Sequence, residues 1–277
     1  MKAASREAQA NVSATLDGLI RTSDDSVAVA AQIGTELFLV VDQLDGERAL
    51  RVAIADQSLD ASQREGIVDD VLGAKVAEPT RRVLHAVAGQ EWSSSREMRN
   101  GLIHLGRRAL LLGAQAQGQL EQVEDELFQL SVVLENEKQL TQLLSDRTAD
   151  AKQKRSLMAS VIYGKVTMFT EALALQVIGR PEHNPTDDLS AVADEVAEMR
   201  GKTVARVTSA EPLNGQQREA LAGKLQNIYG HEMAIHTEVD PSLLGGMLIR
   251  VGDEEIDGST LGKITRLRAD LASNTAY

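Results

Sequence analysis

An internal repeat is the feature that most constrains the fold. Residues 36–76 match residues 126–166 at an offset of 90 without a gap, and roughly a third of the aligned positions are identical. Glu36-Leu37-Phe38 aligns with Glu126-Leu127-Phe128, and Lys75-Val76 aligns with Lys165-Val166. An ungapped match of this length predicts a duplicated structural unit.

The first part of the chain has the apolar spacing of amphipathic helices. Ala8, Val12 and Leu16 form one stripe at helical spacing, and a second stripe follows over residues 30–44. Capping-box patterns at Ser62 with Glu65 and at Ser94 with Glu97 predict helix starts, and Asp60 with Gln63 offers a competing register. The spacing over residues 95–135 allows one long helix, which Gly106, Gly113 and Gly118 would weaken.

Composition agrees with a helical core and excludes several kinds of function. Aromatic residues make up only 3% of the chain, so the core must consist mainly of aliphatic side chains. The absence of cysteine excludes disulfides and thiolate sites. A net charge of -12 opposes binding to nucleic acid. No stretch approaches the roughly 18 uninterrupted apolar residues of a membrane helix, and we expect a cytoplasmic protein that does not insert into the membrane.

After about residue 200 the periodicity changes from helical to alternating. Residues 203–209, 233–239 and 246–251 alternate as strands, with a short partner over 255–257, and residues 212–229 and 261–271 follow a helical pattern. We therefore predict a mainly α fold, in which a duplicated helical bundle precedes a small β-α-β-β-α module. The predicted domains are the N-terminal helix with the first helical unit (1–114), the second helical unit (115–200) and the module (201–277).

Motifs that resemble catalytic or ligand sites fail on spacing. The acidic stretch 253–258 has Ile264 where a calcium loop requires a glutamate, and the turn 258–264 lacks the spacing of a phosphate-binding loop. We predict no catalytic, cofactor-binding or metal-binding residues. A small hydrolase that uses Asp253 and Asp257 stays as an unfavoured alternative, and a helical-repeat scaffold of another complex stays as a second one.

Residues 239–259 resemble the C-terminal signature of the δ subunit of F-type ATP synthases, a family related to the mitochondrial oligomycin sensitivity-conferring protein. The signature residues are Asp240, Pro241, Gly245, Gly246, Gly252, Asp253, Asp257 and Gly258. The duplicated bundle is similar to the enlarged actinobacterial type, in which an extra helical unit follows the first helix.

The resemblance implies a non-catalytic peripheral-stalk subunit on the cytoplasmic face of the cell membrane. Its expected partners are the N-termini of the α subunits in the catalytic head and the b subunits, with this chain as a monomer in the hetero-oligomer. The stripe of Ala8, Val12 and Leu16 is the candidate head-binding surface, although the same stripe also fits a core role. The signature residues are expected either to shape the module or to contact the b subunits.

Overall fold

The computed structural model describes residues 1–146, 148–265 and 267, which form two compact units. One unit comprises Met1–Val123 with Arg147–Arg180, and the other comprises Glu124–Asp146 with Pro181–Tyr277. Each unit is defined by the contacts among its own residues. The division into three domains, 1–114, 115–200 and 201–277, stays a prediction.

Eleven helices of the described chain precede the sheet, and the starts of several recur at a constant offset. They are α1 (Ala3–Arg21), α2 (Ser26–Gly46), α3 (Arg48–Ile54), α4 (Ala61–Leu72), α5 (Glu78–Gly89), α6 (Ser95–Ala116), α7 (Leu120–Asn136), α8 (Lys138–Ser145), α9 (Ala151–Ile162), α10 (Met168–Gly179) and α11 (Pro185–Met199). Helices α3 to α6 begin 90 residues before α8 to α11, respectively. The starts of these helices therefore agree with the predicted repeat, although α6 is longer than α11.

Side-chain caps fix several of these starts. Asp60 accepts a hydrogen bond from the Gln63 amide, and the Gln63 side chain returns a bond to the Asp60 amide, so α4 begins with a complete capping box. The predicted start at Ser62 is wrong, because the competing register at Asp60 satisfies both amides. Ser94 caps α6 as predicted, through the Glu97 amide.

The single long helix considered over residues 95–135 is wrong. Gly118 has φ of +69°, a left-handed conformation that ends α6 before α7 begins. The other two glycines have a packing role instead: a Cβ at Gly106 would lie 2.6 Å from the Phe38 ring, and one at Gly113 would lie 2.7 Å from the Phe169 ring. These glycines allow aromatic side chains to pack directly against α6.

The core of the first unit centres on α2 and α6. A Cβ at Gly34 would lie 2.6 Å from Leu110, so the two helices pack closely at this point. By length and composition α2 qualifies as a membrane-spanning candidate. Its side chains Ile33, Leu37 and Leu44 are fully buried in the protein core, as expected for the central helix of a bundle.

A four-stranded sheet forms the core of the C-terminal module in the second unit. Its strands are β1 (Thr203–Ser209), β2 (Met233–Val239), β3 (Met247–Val251) and β4 (Glu254–Asp257), in the order β2-β1-β3-β4, with helix α12 (Gly215–Tyr229) between β1 and β2. β1 and β2 are parallel, whereas β1–β3 and β3–β4 are antiparallel. Leu225 of α12 belongs to the same buried core cluster as Ala205, Val207 and Met233 of the sheet. The predicted module is confirmed, and its last helix, predicted over 261–271, lies partly outside the described residues.

Candidate partner-binding site

Two of the three aspartates of the signature, Asp240 and Asp257, cap local turns. Asp240 precedes a short 3₁₀ turn (Pro241–Leu243) and accepts hydrogen bonds from the amide and hydroxyl of Ser242, each at 2.8 Å. These bonds hold the pKa of Asp240 below its ordinary value. Asp257 accepts in the same way from the amide and hydroxyl of Ser259, at 2.9 and 2.7 Å. Both Asp-x-Ser segments therefore order their own loops.

The signature glycines bring these two loops together. Gly245 and Gly246 have φ of +136° and +75°, and a Cβ on Gly246 would clash with the Gly258 carbonyl. The Gly245 carbonyl accepts from the Thr260 amide at 2.8 Å, and the Gly258 amide donates to the Met247 carbonyl at 3.0 Å. Glycine at these positions permits the close approach of two backbone segments.

Gly252 and Asp253 lie elsewhere, in the β3–β4 hairpin. Gly252 has φ of +56°, which suits a tight hairpin turn, and Asp253 is exposed beside it. Asp257 is at the opposite end of β4. The two carboxylates proposed for a hydrolase are thus placed at opposite ends of one strand, which does not favour that alternative.

An open groove runs beside the paired loops. Its volume is about 570 Å³, and its apolar lining includes Pro212, Leu213, Pro241, Leu244 and Met247. Leu244 is 66% exposed, and its φ of +60° is the one positive value among the non-glycine residues of the described chain. An exposed leucine in a left-handed conformation costs about 1 kcal/mol and gains little from burial.

The proposed head-binding stripe lies in the core of the bundle. Ala8, Val12 and Leu16 are 2%, 0% and 0% exposed, because the buried side of α1 packs against α5 and α6. Direct contact between these side chains and a partner would require the bundle to open. The outer side of α1 instead exposes small residues, including Ala10 and Ala14.

A buried ionic group that the sequence analysis did not identify joins α7 and the end of α11 to the sheet. Glu124 is 2% exposed, pairs with Arg200, and lies 2.9 Å from Nε2 of His236 on β2. Burial raises the pKa of Glu124, but the hydrogen bonds from His236 and Arg200 outweigh it and lower the pKa overall. The repeat could have indicated that Glu124 is buried, because Glu124 aligns at the offset of 90 with the buried Gly34.

A family model described as "ATP synthase delta (OSCP) subunit" matches residues 108–271. The chain belongs to this delta (OSCP) family. ATP synthase subunit delta of Corynebacterium efficiens is 61% identical over 98% of this chain and 99% of its own length. The subunits of Corynebacterium glutamicum (strain R) and Corynebacterium aurimucosum are 61% and 59% identical, each over 98% of this chain and all of their own length.

This delta subunit is a peripheral-stalk component of an F-type ATP synthase, and therefore a peripheral subunit of a membrane-bound complex. The family match begins within α6 and contains α7 to α11 and the sheet. The first 107 residues lie outside that match, whereas the Corynebacterium relatives align over nearly the whole chain. The additional helical unit is therefore shared with these relatives.

Proposed function

We propose that this delta subunit is a non-catalytic clamp on the cytoplasmic face of the membrane. In this proposal the helical part binds the N-termini of the α subunits in the catalytic head, and the C-terminal module binds the b subunits. The clamp prevents the catalytic ring from turning with the rotor, so that proton flow drives ATP formation. Membership of the delta (OSCP) family supports a place for this chain in an ATP synthase. The different architectures of the helical part and the sheet module support two separate partners.

Leu244 carries the proposal for the b-subunit site. Asp240, Asp257 and most glycines of the signature have local structural roles, as caps or points of close backbone approach. The backbone of Leu244 also ends the short 3₁₀ turn, because its amide donates to the Pro241 carbonyl at 3.1 Å. Its side chain has no such role and lies exposed beside an apolar groove. A partner that covers this leucine would gain about 1.5 kcal/mol or more from the buried surface. The groove suits the apolar side of an amphipathic helix.

The variant Leu244→Asn tests this assignment because asparagine tolerates the left-handed conformation. We expect the isolated subunit to be stabilised by about 0.5–1 kcal/mol, while its affinity for the b subunits falls about tenfold. Calorimetric titration of the b-subunit cytoplasmic segment measures the affinity, and urea unfolding measures the stability. The matched control is Leu261→Asn, at a 41% exposed leucine outside the groove lining. Unchanged affinity in Leu244→Asn would reject the groove as the contact.

For the head, we propose docking on the outer side of α1 and the bundle surface beside it. Ala10 and Ala14 are exposed one turn apart, and small side chains let another helix approach closely. This retains α1 as the head-binding helix and assigns the buried Ala8, Val12 and Leu16 to its support. Titration of the α-subunit N-terminal peptide into the full-length protein tests the site. Ala14→Glu should weaken binding about tenfold, whereas the control Ala220→Glu, on the exposed side of α12, should leave it unchanged.

A further inference from the structure

Four arginines and two aspartates form an ionic group in the first unit, which we call the arginine cluster. The aspartates, Asp42 and Asp45, lie near the end of α2. The arginines come from α3, α6, α9 and the residue after α10, and they are Arg51, Arg99, Arg155 and Arg180. The cluster has a formal charge of +2, in a chain whose net charge is -12.

Two arginines engage the aspartates in paired hydrogen bonds. Arg155 binds both carboxylate oxygens of Asp42, at 2.9 and 3.0 Å, and Arg99 binds both oxygens of Asp45, at 2.9 and 2.6 Å. These pairs join α9 and α6 to α2. They account for two of the four guanidinium groups.

The other two arginines share the same aspartates and retain unused donors. Arg180 is 6% exposed and lies 2.6 Å from Asp42, and its Nε is 4.0 Å from Asp45. Arg51 reaches Asp45 at a weak 3.5 Å. Nε and Nη1 of Arg180 and Nε of Arg51 are buried without a hydrogen-bond partner among the described residues. Buried guanidinium donors without partners are costly, because each has lost its bond to water.

Repulsion among the arginines adds to this cost. Burial is the main cause that lowers the pKa of Arg180, and the positive charges of Arg155 and Arg99 lower it further, against the attraction of Asp42. An added negative charge would relieve both effects. The side chains of Arg51, Arg99 and Arg155 are 21–25% exposed, so the cluster reaches the surface.

The cluster is not a by-product of the duplication. At the offset of 90, the positions equivalent to Asp42, Arg51 and Arg99 are Val132, Thr141 and Leu189, none of which is charged. Asp45 is the member with an equivalent of the same charge, Glu135. The positions equivalent to Arg155 and Arg180 are Glu65 and Gln90. The helical repeat therefore forms without such a cluster, and its surplus positive charge needs another explanation.

We propose that the arginine cluster binds a tetrahedral oxyanion of the phosphate or sulfate type. Guanidinium groups match the geometry of such oxyanions. Arg51 and Arg180 approach the two oxygens of the same carboxylate, Asp45, and both retain donors without a partner that an anion could accept from. Gly179 belongs to the site, because a Cβ there would clash with the Arg155 guanidinium.

Calorimetric titration of the full-length protein with inorganic phosphate, against sodium chloride at equal ionic strength, tests the site. We expect saturable binding of one phosphate, and sulfate should compete. Acetate, with one charge and two oxygens, should bind several times more weakly. Absence of saturable phosphate binding would overturn the proposal, and acetate binding as tight as phosphate binding would overturn the choice of a tetrahedral anion.

Variants separate anion binding from a purely structural role. Arg51→Gln removes an arginine with only weak bonds, and we expect phosphate affinity to fall about tenfold. The control Arg81→Gln, at an exposed ion pair on α5, should bind phosphate normally. If Arg51→Gln loses helicity, Arg51→Lys replaces it, with an expected several-fold loss. Asp45→Asn removes a competing carboxylate and should bind phosphate more tightly, whereas weaker or unchanged binding in that variant would contradict the site.

Discussion

The two helical repeats share their framework and differ at a few buried positions. Asp60 and Asp150 cap equivalent helices, and Thr80 and Thr170 are both fully buried. In contrast, the buried Gly34 and Val41 of the first repeat correspond to Glu124 and Ser131 of the second. The shared positions specify the helices. The divergent positions specify what each repeat packs against: an adjacent helix at Gly34, and the sheet at Glu124.

We expect the largest effect on stability from substitution of Glu124, the buried ionic residue that has no equivalent in the first repeat. Glu124→Gln removes the buried negative charge that lies between Arg200 and His236, and we expect destabilisation by about 3 kcal/mol at pH 7. Because the folded pKa of Glu124 is lowered, its contribution is complete above the ordinary glutamate pKa of about 4.3 and is lost as the pH falls through the lowered value. Urea unfolding at pH 7 and pH 3 measures this. The exposed control Glu219→Gln should change stability little, and an equally stable Glu124→Gln would contradict the ionic role.

The close packing of the first repeat gives the next effect. Gly106→Ala places a Cβ 2.6 Å from the Phe38 ring, and we expect destabilisation by about 1–3 kcal/mol despite the better helix propensity of alanine. Gly66, within α4, has open space around it, so Gly66→Ala should stabilise the protein by about 0.5–1 kcal/mol. Opposite changes of the melting temperature in the two variants would support the packing role of Gly106. A stabilised Gly106→Ala would contradict it.

The shared caps should differ in strength. Asp60 forms a complete capping box, whereas Asp150 accepts a single bond from the Lys152 amide at 3.2 Å. We expect Asp60→Ala to cost about 1–1.5 kcal/mol and Asp150→Ala about 0.5 kcal/mol. Denaturant unfolding of the two variants measures the difference. A larger loss at Asp150 would show that the two caps are not graded by their hydrogen bonds.

The smallest effect concerns Glu238 on β2. Burial, and then the negative charges of Glu135 and Asp240, raise the pKa of Glu238. A raised carboxylate pKa favours the folded state at low pH and penalises it as the pH rises through the folded pKa. Glu238→Gln should therefore stabilise the protein by a few tenths of a kcal/mol at pH 7 and leave it unchanged at pH 3. A destabilised variant at pH 7 would contradict this electrostatic cause.

Repetition and local pattern predicted most of the fold, because helices and strands depend on nearby residues. The offset of 90 located equivalent helix starts, and the alternation after residue 200 located the strands. The sequence identified Gly118 as a residue that weakens a helix. Its left-handed φ, and the aromatic contacts of Gly106 and Gly113, depend on distant chain segments. For the same reason the sequence could not distinguish a buried from an exposed role for Ala8, Val12 and Leu16. The arginine cluster combines five separate segments and has no local pattern.

The most direct test of the stator role compares ATP synthesis with ATP hydrolysis in reconstituted vesicles that contain Leu244→Asn or Ala14→Glu. We expect proton-driven synthesis to fall in both variants, because the head or the b subunits lose their attachment. Hydrolysis by the catalytic head should persist, and the Ala220→Glu control should support normal synthesis. If hydrolysis by the isolated head fell in parallel with synthesis, the delta subunit would take part in catalysis and the proposed clamp would be contradicted.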